Sequence, residues 1–358
     1  MSAIKQLYRD YELIIEQKDN TNDKITIKNN NGGNDYNNNT NGIGLRINFT
    51  VDFLAPKSNK SFLSSSYTNK FIINIYNLSS QNLKKLSSGN YNRISLKCGY
   101  RESITGGNSN SQLLLYKASI YKSYTYRNNN DIITTFIGQN LTDVLDTKLD
   151  DEDLTKFQKS LLTGLTYERE YIFKYFVDKY LTTAGAILDD KNLTGFNQIY
   201  NILDPASGFT FKKGTTISQA LDLICGDRYW YIDNLNNIKV LYYPSTTTPY
   251  AIDTSNMILL SQETGLLGVP IISSGFTITG KALLNPALTP STDIKISAEK
   301  GNTGFQQSNI PVSLNKTPNY SPNVAESKIM KSSFIGDSIS GDWVTTFETY
   351  PTTYLKAE

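Results

Sequence analysis

Thirty-three carboxylates and no histidine set the terms for any chemistry in this 358-residue chain. Without an imidazole, Ser-His-Asp, Cys-His and His-zinc mechanisms are excluded, along with the commonest general base near neutral pH. What remains for an enzyme is a carboxylate, a lysine or a tyrosine. Glu168 with Glu170, and Asp337 with Asp342, are the pairs to try as acid and base of a glycosidase, a reaction needing two carboxyl groups about 5–9 Å apart. Spacing along a chain does not supply that separation, and with so many acidic residues neither pair stands out. The run Asp150-Asp151-Glu152-Asp153 lacks the alternating carboxylates and central glycine of a calcium loop. It reads as a solvated helix start, where acidic residues are favoured. Gly32-Gly33 and Gly106-Gly107 lack the strand-to-helix setting of a phosphate loop. Trp230 and Trp343 could stack on sugars or bases, but core or interface aromatics are the plainer reading. Cys98 and Cys225 read as buried free thiols. No catalytic residue, metal or cofactor is assigned from this pattern.

The elements that would position these residues are mostly strands. Ile43 to Phe53 alternates apolar and polar, as a sheet with one buried face requires. Phe71 to Leu78 does the same with one slip, and Ser79 then caps a short helix through Leu86. Arg93 to Tyr100, Leu113 to Tyr126 and Ile132 to Ile137 are further strands, the last two joined by the turn Asn128-Asn129-Asn130-Asp131. From about Asp143 the period changes. Thr166 to Leu181 reads as an amphipathic helix with Ile172, Phe173, Phe176, Val177 and Tyr180 on one stripe. Thr216-Ile217-Ser218-Gln219 is a capping box opening a second helix, with Ile217, Ala220, Leu221 and Ile224 on its apolar face. A hairpin follows, Tyr229 to Ile232 and Ile238 to Tyr242. Alternation returns in Ile271 to Ile278, Ile294 to Ile296, Phe334-Ile335 and Trp343 to Phe347, punctuated by prolines. Asp342 is expected to serve the turn before Trp343.

The length suggests two to four units at roughly 100–200 residues each. The expected fold class is mainly β with an α/β inset: β-barrel domains at 1–145 and 251–358 and a small mixed domain at 146–250. A net charge of +2, with 35 basic residues spread along the chain, offers no basic stripe for nucleic acid. No run approaches the ~18 apolar residues of a membrane span, and the first residues lack an apolar signal core, so synthesis in a cytoplasm and no stable membrane insertion are expected. Residues 29–42, rich in Asn and Gly, read as a surface loop.

Two sets of motifs carry a family resemblance. Toward the carboxy terminus come Thr264-Gly265-Leu266-Leu267-Gly268-Val269-Pro270, Leu283-Leu284-Asn285-Pro286, and Gly336-Asp337 followed by Gly341-Asp342-Trp343-Val344-Thr345. Toward the amino terminus come Ile73-Asn74-Ile75-Tyr76-Asn77-Leu78-Ser79, Gly99-Tyr100 and Leu115-Tyr116-Lys117-Ala118. In order and spacing these resemble the baseplate hub proteins of contractile-tailed bacteriophages, and the inset resembles that family's Gly-Thr-x-x-x-x-Ala-Leu-x-x-Ile segment. Many members carry a histidine near the Gly-Asp pair of the last barrel, where this chain has Phe334, read as a packing position.

The resemblance implies two tail-tube-like β-barrels, a structural rather than enzymatic role, and a homotrimer. Two barrels in each of three copies would give a pseudo-hexameric ring, joining a hexameric tail tube to a trimeric central spike. The implied partners are the tube protein, the spike and other baseplate (wedge) proteins, with genomic DNA only passing through the lumen, in a virion assembled in the host cytoplasm. The signature residues are Tyr76, Asn77, Leu78, Gly99, Tyr100, Gly265, Leu266, Gly268, Pro270, Asn285, Pro286, Gly341, Asp342 and Trp343. The alternatives are the hub of a non-contractile tail or contractile injection particle, a carbohydrate-binding adhesin, and a tail-associated peptidoglycan hydrolase.

Overall fold

The computed structural model describes residues 8–17, 23–28, 45–54, 69–88, 91–101, 112–156, 167–188, 205–206, 211–226, 228–234, 236–242, 252–273, 277–298, 306–307, 324–350 and 354–356. The asparagine-rich stretch and both glycine pairs lie outside them. The described residues divide into two compact units, one from 1–54, 70–138 and 249–358, the other from 55–69 and 139–248. The fold is mainly β.

In chain order, the first strands are β1 (Tyr8–Gln17), β2 (Lys24–Lys28), β3 (Ile47–Leu54), β4 (Lys70–Tyr76), β5 (Tyr91–Arg101), β6 (Leu113–Asn128) and β7 (Asp131–Gln139). The second unit contributes the short pairs β8 (Tyr167–Glu168) with β9 (Pro205–Ala206) and β10 (Arg228–Ile232) with β11 (Ile238–Tyr242). The chain then returns to the first unit with β12 (Ile258–Leu260), β13 (Leu266–Ile272), β14 (Ile278–Leu283), β15 (Asp293–Ser297), β16 (Gln306–Gln307), β17 (Val324–Asp337), β18 (Trp343–Thr349) and β19 (Tyr354–Lys356).

In the first unit one sheet path runs β16-β13-β14-β18-β17-β3-β4-β7-β6-β5-β1-β2, with β15 and β19 also on β17 and β12 on β15. Early and late strands meet at the antiparallel pair β3–β17, from Leu54 opposite Lys331 to Asn48 opposite Asp337. Alternation explains the packing. Ile47, Phe49, Val51 and Phe53 of β3 all turn inward beside Ile75, Ile73 and Phe71 of β4, each burial stabilising by about 2–3 kcal/mol. Phe334 is fully buried and meets the Phe53 ring edge-on at 5.3 Å, so it occupies a packing position, as expected. A second cluster gathers Leu260, Ile272, Ile278, Ile294, Ile296 and Phe347.

The periodicity of Ile271 to Ile278 misleads. β13 stops at Ile272 and β14 starts at Ile278, with Ser273 N–H donating to Thr277 C=O at 2.9 Å. The sequence between the two strand ends, Ser273 to Thr277, carries Phe276 among its polar residues, so two apolar strand ends read as one strand.

The second unit is built on helices. Arg169–Phe176 continues as a wider π turn over Val177–Leu181, and Tyr167-Glu168, expected to be helical, form a strand instead. Ile217–Cys225 starts at the expected capping box, with both reciprocal bonds made. Their apolar faces enclose Phe173, Phe176, Leu221, Ile224, Trp230 and Val240. Among the described residues no helix is long and apolar enough to cross a membrane.

Candidate functional site

The described carboxylates of the two candidate pairs are each paired with a cation. Glu170 is tied to Lys174 one helical turn on, at 3.0 Å, and the side chain of Glu168 lies outside the described residues. Asp337 and Asp342 are each engaged by a different cation, Arg46 and Lys281. What the fold does assemble is a polar seam between strands from the two ends of the chain.

The seam starts at the turn between β17 and β18. Asp337 N–H donates to Asp342 C=O at 2.9 Å, closing a turn that passes through Gly341 at φ +80°, a conformation glycine adopts without penalty. Asp342 thus serves the turn through its carbonyl, and the side-chain cap is Asp337. Asp337 Oδ1 accepts from Ile339 N–H at 3.0 Å and Ser340 N–H at 3.1 Å. Arg46, just ahead of β3, forks onto the same carboxylate, Nη2 to Oδ2 at 2.6 Å and Nε to Oδ1 and Oδ2 at 3.3 and 3.2 Å. Burial opposes ionisation of Asp337, but the Arg46 bonds and charge and the two backbone donors outweigh it and hold the carboxyl below its usual range. Arg9 of β1 reaches the same turn, donating to Asp337 C=O at 2.6 Å and Gly341 C=O at 2.5 Å.

Arg46 also lies over the Tyr76 ring, 4.8 Å from its centroid, a cation–π contact. The Tyr76 hydroxyl accepts from Asn48 Nδ2 at 2.8 Å. Asn77 follows at φ +58°, and its side chain bridges to β7, donating to Asp131 at 2.8 Å and accepting from Ile132 N–H at 2.9 Å. Leu78 is buried in the core.

Trp343 anchors the other end. It is 3% exposed and meets Phe49 edge-on at 5.3 Å. A Cβ on Gly336 would lie 2.3 Å from Phe49 and 2.9 Å from Trp343, so only glycine fits between the rings. The indole Nε1 donates to Gly99 C=O at 3.2 Å. The Tyr100 hydroxyl donates to Trp343 C=O at 2.9 Å and accepts from Leu284 N–H at 3.0 Å. Burial, partly offset by the Leu284 bond and Arg9, pushes the Tyr100 hydroxyl up to about 12, so it stays a donor at any physiological pH.

Leu284 brings in the remaining motifs. Leu283 N–H donates to Gly265 C=O at 2.8 Å, and a Cβ on Gly265 (φ +107°) would meet the Leu283 side chain at 3.3 Å. Asn285 N–H donates to Thr345 Oγ1, and its side chain accepts from Ala287 N–H, a turn of the asparagine type that carries buried Pro286. Leu266 is buried, and Gly268 and Pro270 sit inside β13 where its register against β14 shifts. That irregularity is what lets a proline occupy a strand.

The second unit holds a different polar cluster. Asp153, expected to be solvated with its acidic neighbours, is fully buried. It accepts from Tyr175 and Lys179, both at 2.8 Å, and from Tyr180. Burial works against its charge, and these donors more than reverse that, lowering its pKa. Asp222 accepts from Trp230 Nε1 at 2.7 Å, but burial dominates there and raises its carboxyl to about 6. Cys98 and Cys225 are buried free thiols, as expected.

Sequence reasoning missed Arg9 and Arg46. The available signal was an arginine at an outward position beside the alternating β3 pattern. It also missed Asp153, for which three donors on one helical stripe, Tyr175, Lys179 and Tyr180, were the clue.

No protein-family model and no curated protein matches this sequence. The solved structures that it resembles include a tail protein from Neisseria meningitidis, 9% identical over 95% of this chain and 96% of that one, TM-score 0.46. A 43 kDa tail protein of a Shewanella oneidensis prophage is 7% identical over 95% and 97%, TM-score 0.49. An Escherichia coli component of the type VI secretion system, itself described as structurally similar to bacteriophage T4 tail proteins, is 8% identical over 87% and 76%, TM-score 0.45.

Proposed function

We propose that this chain is the structural hub of a phage-tail-like particle, joining a hexameric tail tube to a trimeric central spike. In this reading residues 1–145 and 251–358 are the two tube-like barrels and 146–250 the inset. Three copies present six barrels to the tube and threefold symmetry to the spike, so duplication within the chain resolves the symmetry mismatch. The protein performs no reaction, contacts baseplate wedge proteins around its rim, and lets genomic DNA pass through its centre in the assembled virion.

One observation carries the proposal. Signature residues from the two ends of the chain, Tyr76 and Gly99-Tyr100 from one, Leu284-Asn285 and Gly341-Asp342-Trp343 from the other, are knitted into a single hydrogen-bonded seam. Such a seam suits a load-transmitting connector, because polar bonds hold strands from both ends of the chain in one register. Co-sedimentation tests it. The purified chain should pellet with assembled tail tubes and, separately, bind the spike protein; binding to neither, or clearing in a peptidoglycan gel, contradicts the hub reading.

A further inference from the structure

β6 changes character halfway along. Its first half pairs with β5 from Leu113 opposite Cys98 to Ser119 opposite Arg93, and buries Leu115, Tyr116 and Ala118. Its second half, residues 121–128, is exposed at every position, on both faces of the strand. Among the described residues no strand pairs with that half on the side away from β7. Tyr121, Tyr124 and Tyr126 are 59%, 43% and 44% exposed. Tyr124 and Tyr126 share a face with ring centroids 5.9 Å apart, and Lys122 lies 5.5 Å from the Tyr124 centroid. Such an edge is a template for another strand, here lined by aromatic area and bounded by Lys122 and Arg127.

The same unit ends in a second open edge of opposite charge. Among the described residues β12 pairs with β15 alone. Leu259 at its centre is 45% exposed, and exposed Asp253 and Glu263 flank it.

We propose that the outer half of β6 is a docking edge for a second copy of this chain, and that the β12 edge of that copy, with Asp253 and Glu263, is what it receives. The contact is heterologous: two different edges of one sheet meet head to tail, so repeating it around a ring joins early strands of one copy to late strands of the next. Opposite charges fix the register and the partner, while the tyrosines supply buried area. The inference deepens the proposed ring by naming the strands that close it.

Charge reversal tests it in the full chain. Lys122→Glu with Arg127→Glu alters exposed side chains only, and thermal melts matching wild type verify the fold. The expected result is a fall in solution mass from the oligomer to the 40.1 kDa chain. Asp253→Lys with Glu263→Lys, checked by the same melts because Asp253 also accepts from Ser255 N–H and Asn256 Nδ2 in its own turn, should do the same alone, and combining all four reversals in one chain should restore assembly. Amide exchange at 121–128 should slow at least tenfold in the oligomer. An unchanged oligomer in the charge-reversed chain overturns this inference while leaving the hub reading intact. A wild-type chain that stays monomeric at every concentration, alone and with the spike protein, overturns both. A monomer that binds single-stranded DNA through these lysine, arginine and tyrosine residues identifies a different partner and also overturns it.

Discussion

The seam of the first unit and the buried aspartates of the second solve the same problem at opposite ranges. Arg46 meets Asp337 across 291 residues, Trp343 meets Gly99 across 244, and Arg9 meets Asp337 across 328. Asp153 finds its three donors 22 to 27 residues away, and Asp222 its tryptophan 8 away. Both regions desolvate carboxylates. The seam compensates with a forked arginine and backbone donors, the Asp153 cluster with a lysine and two tyrosines, and Asp222 with one indole only. Local clusters can form while their own helices fold; the seam forms only when both ends of the chain have arrived, because loop closure must precede its contacts. Polar bonds at such range hold strands from the two ends of the chain in one register.

The most severe way to break the seam is Trp343→Ala. It empties the space between Phe49 and Gly336 and should cost about 3–5 kcal/mol, read by chemical denaturation of the first unit. Asp153→Ala tests the local cluster. It leaves Lys179 beside two tyrosines without its buried partner, and a loss of about 2–4 kcal/mol is expected, reduced because Lys179 keeps a second carboxylate, Asp150, at 3.1 Å. Equal losses would show that range makes no energetic difference; the seam variant should additionally slow refolding, and the cluster variant should not. Tyr100→Phe removes one hydroxyl that both donates and accepts, for about 1–2 kcal/mol.

Acid sharpens the comparison. Asp337 and Asp153 have lowered folded pKa values, so their stabilisation is present above the ordinary unfolded value near 4 and is lost as pH falls through the lower folded one. Asp222 has the opposite sign. Its folded pKa of about 6 exceeds the unfolded 3.8, so stability falls as pH rises between them. Asp222→Asn should therefore stabilise by roughly 1–2 kcal/mol at pH 8 and bring no gain at pH 4. Melting curves across pH 4–8 check this; a variant that is equally stable relative to wild type at both ends refutes the assigned cause.

What was readable in the sequence follows the same division of range. The Thr216–Gln219 box was legible because each partner lies three residues from the other. The alternation of β3 and β4 was legible because each strand faces one core. The Arg46–Asp337 fork was not, since nothing in the sequence near Arg46 points 291 residues onward. Family resemblance marked Tyr100 and Trp343 as important, yet did not say that they touch. The outer half of β6 kept its strand form without the aliphatic residues that bury a face, and that loss of apolar alternation after Ile120 was the visible sign of an exposed edge.

The central claim is that this chain is a ring-forming connector, and its most direct test is solution mass by light scattering, with the purified protein alone and mixed with the spike protein. A ring-forming connector gives a species of about three times 40.1 kDa, formed alone or on adding the spike. A chain that remains at 40.1 kDa under both conditions contradicts it.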